Sequence, residues 1–157
     1  MSFHKKFNKV LEITVIALMI ILVLDVLWQV FSRYILSSPS SFTDELAGYL
    51  LIWVSLLGAA YVTGTREHLA IDILLQRSKP GRKRILSIII QIVILVFAVT
   101  VLVLGGSWLV YTRFYLGVKS AAIQIPLGYV YIVLPLSGLI ISYYSIYHLR
   151  TALKKED

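Results

Sequence analysis

Four long apolar runs take up most of this chain of 157 residues and leave no room between them for a sizeable soluble domain. Each run is long enough to cross the hydrocarbon core of a bilayer as an α-helix, which takes about 20 residues. The composition, with 59% hydrophobic and 15% charged residues, is more apolar than that of a soluble domain. The sequence therefore predicts an all-α integral membrane protein, a single membrane domain whose four transmembrane helices cover roughly residues 10–34, 44–64, 85–115 and 126–149.

The arginines and lysines predict which ends of the spans face the cytoplasm. Of these 15 residues, all but Arg33, Arg113 and Lys119 lie in the N-terminal segment, in the connection between spans two and three, or in the C-terminal tail. Cytoplasmic segments carry an excess of such residues, so both termini are predicted to be cytoplasmic. The basic residues near 79–84 fit a topological anchor or a site for anionic membrane lipids.

The connection between spans two and three also contains a short amphipathic stretch, roughly residues 69–76. It is too short to cross a membrane. His68 and Asp72 recur at a spacing of four residues, while apolar side chains fill the other face. This pattern predicts a short helix that lies in the membrane interface.

The second half of span one carries three polar residues on one helix face. Asp25, Gln29 and Arg33 are spaced four residues apart. A charge at such a depth is costly and normally faces protein or a cavity. One interpretation is an ion or proton site. We favour the other, a buried contact with another helix or subunit, because no other span supplies an acidic partner at similar depth.

Span two begins with two acidic residues and continues with small ones. Asp44 and Glu45 lie in the first turn, where the helix dipole favours negative charge. Arg33 ends the preceding span at the same membrane face, so an ion pair with either carboxylate is geometrically reasonable. Farther along, Gly58 belongs to a set of small residues whose spacing permits close helix packing. Trp53 is predicted to pack against other helices.

The sequence offers no catalytic constellation, such as a nucleophile with a base, a phosphate-binding glycine loop or paired carboxylates in a cleft. The histidines at positions 4, 68 and 148 are predicted to lie outside the apolar cores, which counts against a membrane haem. His68 and Asp72 lack a third ligand for a metal ion. The net charge of +7 flanks the spans and forms no basic face with interleaved aromatics, so nucleic-acid binding is not expected. We expect no enzyme activity, metal or cofactor in this chain.

Several short motifs nevertheless follow one another in a specific order. They are Arg33-Tyr34 with Phe42-Thr43-Asp44-Glu45-Leu46, Trp53 with Leu57-Gly58-Ala59-Ala60, His68 before Ile71-Asp72, and Ile125-Pro126-Leu127-Gly128 with Pro135. In this order they resemble the small membrane subunit of tripartite ATP-independent periplasmic (TRAP) transporters, the DctQ-like Q component. There is one departure: an arginine common in the family about three residues after the acidic pair is replaced here by Gly48.

The resemblance implies a non-catalytic scaffold subunit in the bacterial inner membrane. Its partners would be a large multi-span subunit, which holds the substrate and sodium sites and moves like an elevator, and a periplasmic binding protein for an organic acid. That acid could be a dicarboxylate, sialic acid or another sugar or keto acid. The interfacial helix would brace the large subunit. The cluster of Arg33, Asp44 and Glu45 and the loop with Lys119 would face the periplasm and the binding protein. The alternative function is a stand-alone, proton-coupled transporter that uses Asp25.

Overall fold

The computed structural model describes residues 3–38, 40–65 and 80–153, with side-chain environments for 5–38, 40–65 and 85–151. These residues are almost entirely helical. The elements in chain order are α1 (Phe3–Tyr34), α2 (Ser41–Thr65), α3 (Pro80–Phe97), a π-helical segment (Ala98–Gly105), α4 (Gly106–Tyr115), α5 (Leu127–Tyr131) and α6 (Val133–Leu153). The helix predicted over residues 69–76 lies outside the described residues.

Four stretches of the described chain are long and apolar enough to cross a membrane. They are Lys5–Tyr34, Ser41–Thr65, Ile85–Tyr115 and Leu127–Thr151. The third combines most of α3 with the π-helical segment and α4, and the fourth combines α5 with most of α6. The predicted class, an all-α membrane protein with four spanning helices, is confirmed. The orientation of the two termini stays a prediction.

The four spans pack mainly as a row. Helix α1 packs on α2, α2 packs on α6, and α6 packs on α3 and the π-helical segment. The first and third spans are consequently the least buried, and the fourth is the most buried. Lipid tails are as apolar as these side chains, so the two outer helices can expose long apolar faces to lipid or to another protein.

Two glycines allow the helices of this row to approach closely. A Cβ atom on Gly64 of α2 would lie 2.6 Å from Cζ of Tyr144 on α6, and one on Gly138 would lie 2.7 Å from Cβ of Leu102. The Tyr144 ring is fully buried, and its hydroxyl donates a hydrogen bond to Oδ1 of Asn8 on α1. Tyr144 of α6 thus contacts both α2, at Gly64, and α1, at Asn8.

The third and fourth spans both depart from regular α-helix where they face each other. The fourth span is interrupted at Ile132, between α5 and α6. Pro135 explains the position, since it cannot donate to the carbonyl of Tyr131 and its ring would clash with that carbonyl in a continuous helix. Opposite, the π-helical segment buries Ala98 and Leu102 toward the core.

Candidate functional site

The end of the bundle that holds Arg33, Asp44 and Glu45 also holds the loop of residues 116–126, which connects α4 to α5. This loop has its own backbone structure. The amide of Ser120 donates to the carbonyl of Ile125 at 2.9 Å, and the amide of Leu127 donates to Val118 at the same distance. Gly117 turns the chain with a φ of +60°, a conformation that glycine adopts without strain.

Glu45 binds this loop through both oxygens of its carboxylate. Oε1 accepts the amide N–H of Ala121 at 2.9 Å, and Oε2 accepts those of Ala122 at 2.8 Å and Ile123 at 2.9 Å. Oε1 also accepts the hydroxyl of Tyr49, one helical turn farther along α2, at 2.7 Å. Hydrogen bonds to a charged acceptor are stronger than neutral ones, so Glu45 is a firm link between α2 and a loop 76–78 residues away.

Asp44, not Glu45, makes the ion pair with Arg33. The nearest atoms, a terminal guanidinium nitrogen and Oδ2, are 3.8 Å apart, and the side chains are 53% and 46% exposed. A pair with this exposure contributes less than about 1 kcal/mol to stability. The prediction had left both carboxylates open as partners of Arg33. The structure gives the two acidic residues different roles, one in a weak surface pair and one in the loop contact.

Trp53 is partly buried against the core of the bundle and also makes a hydrogen bond. Its indole N–H donates to the carbonyl of Val130 at 3.0 Å, just before the interruption at Ile132. Helix α4 packs on α5. The guanidinium of Arg113 on α4 lies over the ring of Tyr131 on α5, 5.8 Å from its centroid. Both contacts fasten the short helix α5 to the rest of the bundle.

Asp25 is buried, with 8% of its surface exposed, and Oδ2 has no hydrogen-bond partner among the described residues. Gln29 is half-buried, and its backbone carbonyl accepts the hydroxyl of Ser32 at 3.0 Å. Arg33 extends outward to Asp44. The spacing of Asp25, Gln29 and Arg33 places them on one face of α1. The described residues nevertheless provide no cationic partner for Asp25.

Gly58 does not pack closely against any described helix of this chain. A Cβ atom there would meet no described residue within 4 Å, and the same holds for Gly48. The close glycine contact on α2 is made instead by Gly64. Gly58 is therefore not a packing residue within the described chain, and its remaining predicted role is contact with another subunit.

His148 corrects a prediction, since the sequence had placed it outside the apolar core. The structure buries its side chain on α6 and places Nε2 3.0 Å from the carbonyl of Thr63 on α2. A carbonyl only accepts hydrogen bonds, so Nε2 is the donor. His68 and Asp72 lie outside the described residues. Among the described residues, no group of three histidine or acidic side chains is placed to hold a metal ion.

The contact between Glu45 and the loop is the functional feature that sequence inspection missed. Residues 120–124 contain no charged side chain, and backbone amides leave no trace in a sequence. The one available signal was Tyr49 four residues after Glu45, a spacing that places both side chains on one helix face.

A protein with four apolar helices in a row, closely packed at glycines and tied together by polar contacts at the loop end, belongs to the class of multi-pass membrane proteins. The family model described as "Tripartite ATP-independent periplasmic transporters, DctQ component" matches residues 21–155, and the chain belongs to this family. It is accordingly a multi-pass protein of the inner membrane and a non-catalytic component of a transporter, as the resemblance had implied.

Two relatives carry names that agree with this assignment. A protein of Haemophilus influenzae with the provisional name TRAP transporter small permease protein is 29% identical over 137 residues, which cover 86% of this chain and 82% of the relative. The sialic acid TRAP transporter small permease protein SiaQ of Vibrio cholerae is 27% identical over 136 residues, which cover 83% of this chain and 79% of the relative.

Proposed function

We propose that this chain is the small scaffold subunit of a sodium-coupled TRAP importer of an organic acid. In this role it braces the large, elevator-type transport subunit and helps to dock the periplasmic substrate-binding protein. The substrate and the sodium ions bind to the large subunit, and this chain carries no cofactor. The name of the Vibrio cholerae relative refers to sialic acid, which supports a sugar acid or a related carboxylate as the transported class.

The open face of α2 is the observation that carries the bracing role. Gly48, Ser55 and Ala59 are exposed on this helix, and a Cβ atom on Gly58 would meet no residue of the described ranges within 4 Å. In lipid, helices associate through close packing at small residues, because apolar burial drives them together weakly. Such a surface on a scaffold subunit suits a helix of the large subunit.

The loop end of the bundle supports the docking role. The distribution of arginine and lysine predicts that this end faces the periplasm. There, Arg33 and Asp44 form an exposed pair and Lys119 lies exposed on the loop of residues 116–126. Charged groups at the rim of an interface mainly affect the rate and specificity of association.

Co-purification of the two membrane subunits tests the bracing role. We would place an affinity tag on this chain and measure how much large subunit is recovered with wild type, Gly58→Leu and Gly58→Ala. The leucine fills the open face and should remove most of the large subunit, whereas alanine should keep it. The leucine variant should itself stay folded, because no residue in the described part of the chain closely approaches that position. Full recovery with Gly58→Leu would contradict close packing at this face.

Asp25 supports a second candidate function, a stand-alone proton-coupled transporter. The supporting observation is a buried carboxyl group with an unpartnered oxygen in the first span. Reconstitution of this chain alone in liposomes with a proton gradient separates the two functions. Transport by the chain alone that Asp25→Asn abolishes would overturn the subunit proposal, and transport that requires the large subunit would support it.

A further inference from the structure

The loop of residues 116–126 keeps its shape through two sets of contacts. One set is internal: Ser120 bonds Ile125 and Leu127 bonds Val118 through their backbones. The other set is external, and consists of the three consecutive amides of residues 121–123 that all point at one carboxylate on α2. The internal set closes the base of the loop, and Gln124 Nε2 donates to the carbonyl of Ala121 at 2.8 Å across its tip. Glu45 is the residue whose hydrogen bonds fasten the amides of the tip to α2.

Three successive amides that point the same way form an anion-binding concavity. In this protein Glu45 occupies the concavity, and the hydroxyl of Tyr49 holds one of its oxygens from the other side. Ala121 and Ala122 are exposed, so without the carboxylate their amides would bond water instead of a group fixed to α2. Loss of the carboxylate would therefore release the tip of the loop to find other partners.

The loop turns a small, mostly apolar surface outward. Its amides point at Glu45, while the side chains of Ala121, Ala122 and Ile125 are exposed. Lys119 is exposed beside them and forms no ion pair with any described residue. One cation next to short apolar side chains complements a protein surface that offers a carboxylate with apolar neighbours. A lipid headgroup would match the cation but not the alanines at the tip.

We propose that Glu45 is a positioning residue for docking. By binding the amides of residues 121–123, it holds the loop in the conformation that presents Lys119 to an acidic group of the periplasmic binding protein. This inference rests on the proposed function, because it takes the binding protein as the occupant of the surface. Glu45 would then act on the loop and would not contact the binding protein itself, because both of its carboxylate oxygens accept hydrogen bonds within the chain. This differs from the predicted role of an exposed docking carboxylate.

The first experiment measures the loop contact without the binding protein. Hydrogen exchange of the amides of residues 121–123 is followed in the complex of the two membrane subunits in nanodiscs, for wild type, Glu45→Gln and Asp44→Asn. A glutamine presents an NH₂ group where an acceptor is needed, so exchange should become about tenfold faster, as for a loss of about 1.4 kcal/mol. Asp44→Asn is the matched control and should leave the exchange rate of these amides unchanged. Unchanged exchange in Glu45→Gln, with α2 and α6 protected as in wild type, would overturn the loop contact.

The second experiment measures docking in proteoliposomes that contain the same complexes. Uptake is recorded against the concentration of binding protein, which gives a half-saturating concentration and a maximal rate. We expect Glu45→Gln and Lys119→Glu each to raise the half-saturating concentration about tenfold, with the maximal rate nearly unchanged, and Asp44→Asn to have a smaller effect. Faster exchange with an unchanged half-saturating concentration would overturn the docking role of Glu45 while leaving the loop contact intact. Uptake by wild type that does not depend on any binding protein would instead contradict the proposed function.

Discussion

Replacing Gly64 with alanine should destabilise the chain although alanine favours helices. A Cβ atom at this position would lie 2.6, 2.8 and 2.9 Å from three ring atoms of Tyr144. The ring is fully buried and its hydroxyl bonds Asn8, so it cannot move aside without breaking that bond. Overpacking costs about 1–3 kcal/mol, and a lost hydrogen bond adds about 0.5–1.5 kcal/mol. The higher helix propensity of alanine offsets about 1 kcal/mol of this cost. The net loss expected for Gly64→Ala is therefore about 0.5–3.5 kcal/mol.

Gly58→Ala is the matched control on the same helix. Since none of the residues that the structure describes packs within 4 Å of a Cβ atom there, the substitution should be neutral or should stabilise the chain by about 0.5–1 kcal/mol. The assay is unfolding of the purified full-length chain in mixed micelles with increasing dodecyl sulfate, followed by circular dichroism. Equal midpoints for the two variants would refute the reasoning, because they would show that Tyr144 has room to move.

A double-mutant cycle with Tyr144→Phe tests the role of the hydroxyl group. If the bond to Asn8 fixes the ring, phenylalanine should lower the cost of Gly64→Ala by about 0.5–1.5 kcal/mol, since the ring can then shift without losing that bond. Strict additivity of the two substitutions would contradict this anchoring.

Three further predictions use the same unfolding assay. Trp53→Phe removes the donor to the carbonyl of Val130 and should cost about 0.6–1.7 kcal/mol, whereas no change would show that this carbonyl has another partner. His148→Phe removes the donor to the carbonyl of Thr63 and should cost about 1 kcal/mol or more, whereas His148→Gln should restore part of the loss. Asp25→Leu removes a buried carboxyl group with an unpartnered oxygen and should raise stability by about 1 kcal/mol; a lower stability would reveal a contact that Asp25 needs.

Hydropathy was enough to predict most of the architecture. The four apolar runs correspond to four spanning helices, and the interruption in the fourth lies close to Pro135. These features depend on the local sequence alone, through the length needed to cross lipid and the missing amide of proline. A lipid-facing helix and a protein-facing helix are both apolar all round, so the row of helices and the choice of Gly64 over Gly58 for close packing were not predictable from the pattern.

The polar contacts were less predictable because each joins residues that are distant in the chain. Arg33 and Asp44 flank one short turn, and their pairing was one of two arrangements that the sequence left open. Glu45 meets backbone amides 76–78 residues away, which no side-chain motif marks. His148 was predicted to lie outside the apolar cores, yet its side chain is buried and Nε2 bonds the carbonyl of Thr63 near the end of α2.

The contact between Glu45 and the loop also has a consequence for biosynthesis. Glu45 is synthesised 76 residues before Ala121, the first of its three amide partners. At about 5–20 residues per second, the ribosome takes on the order of 4–15 seconds to cover that distance. During this interval the carboxylate of Glu45 can accept the hydroxyl of Tyr49 but none of its three amide partners. Only the second helical hairpin supplies those amides. The contact between Glu45 and the loop can thus form only in a chain that has been synthesised through Ile123.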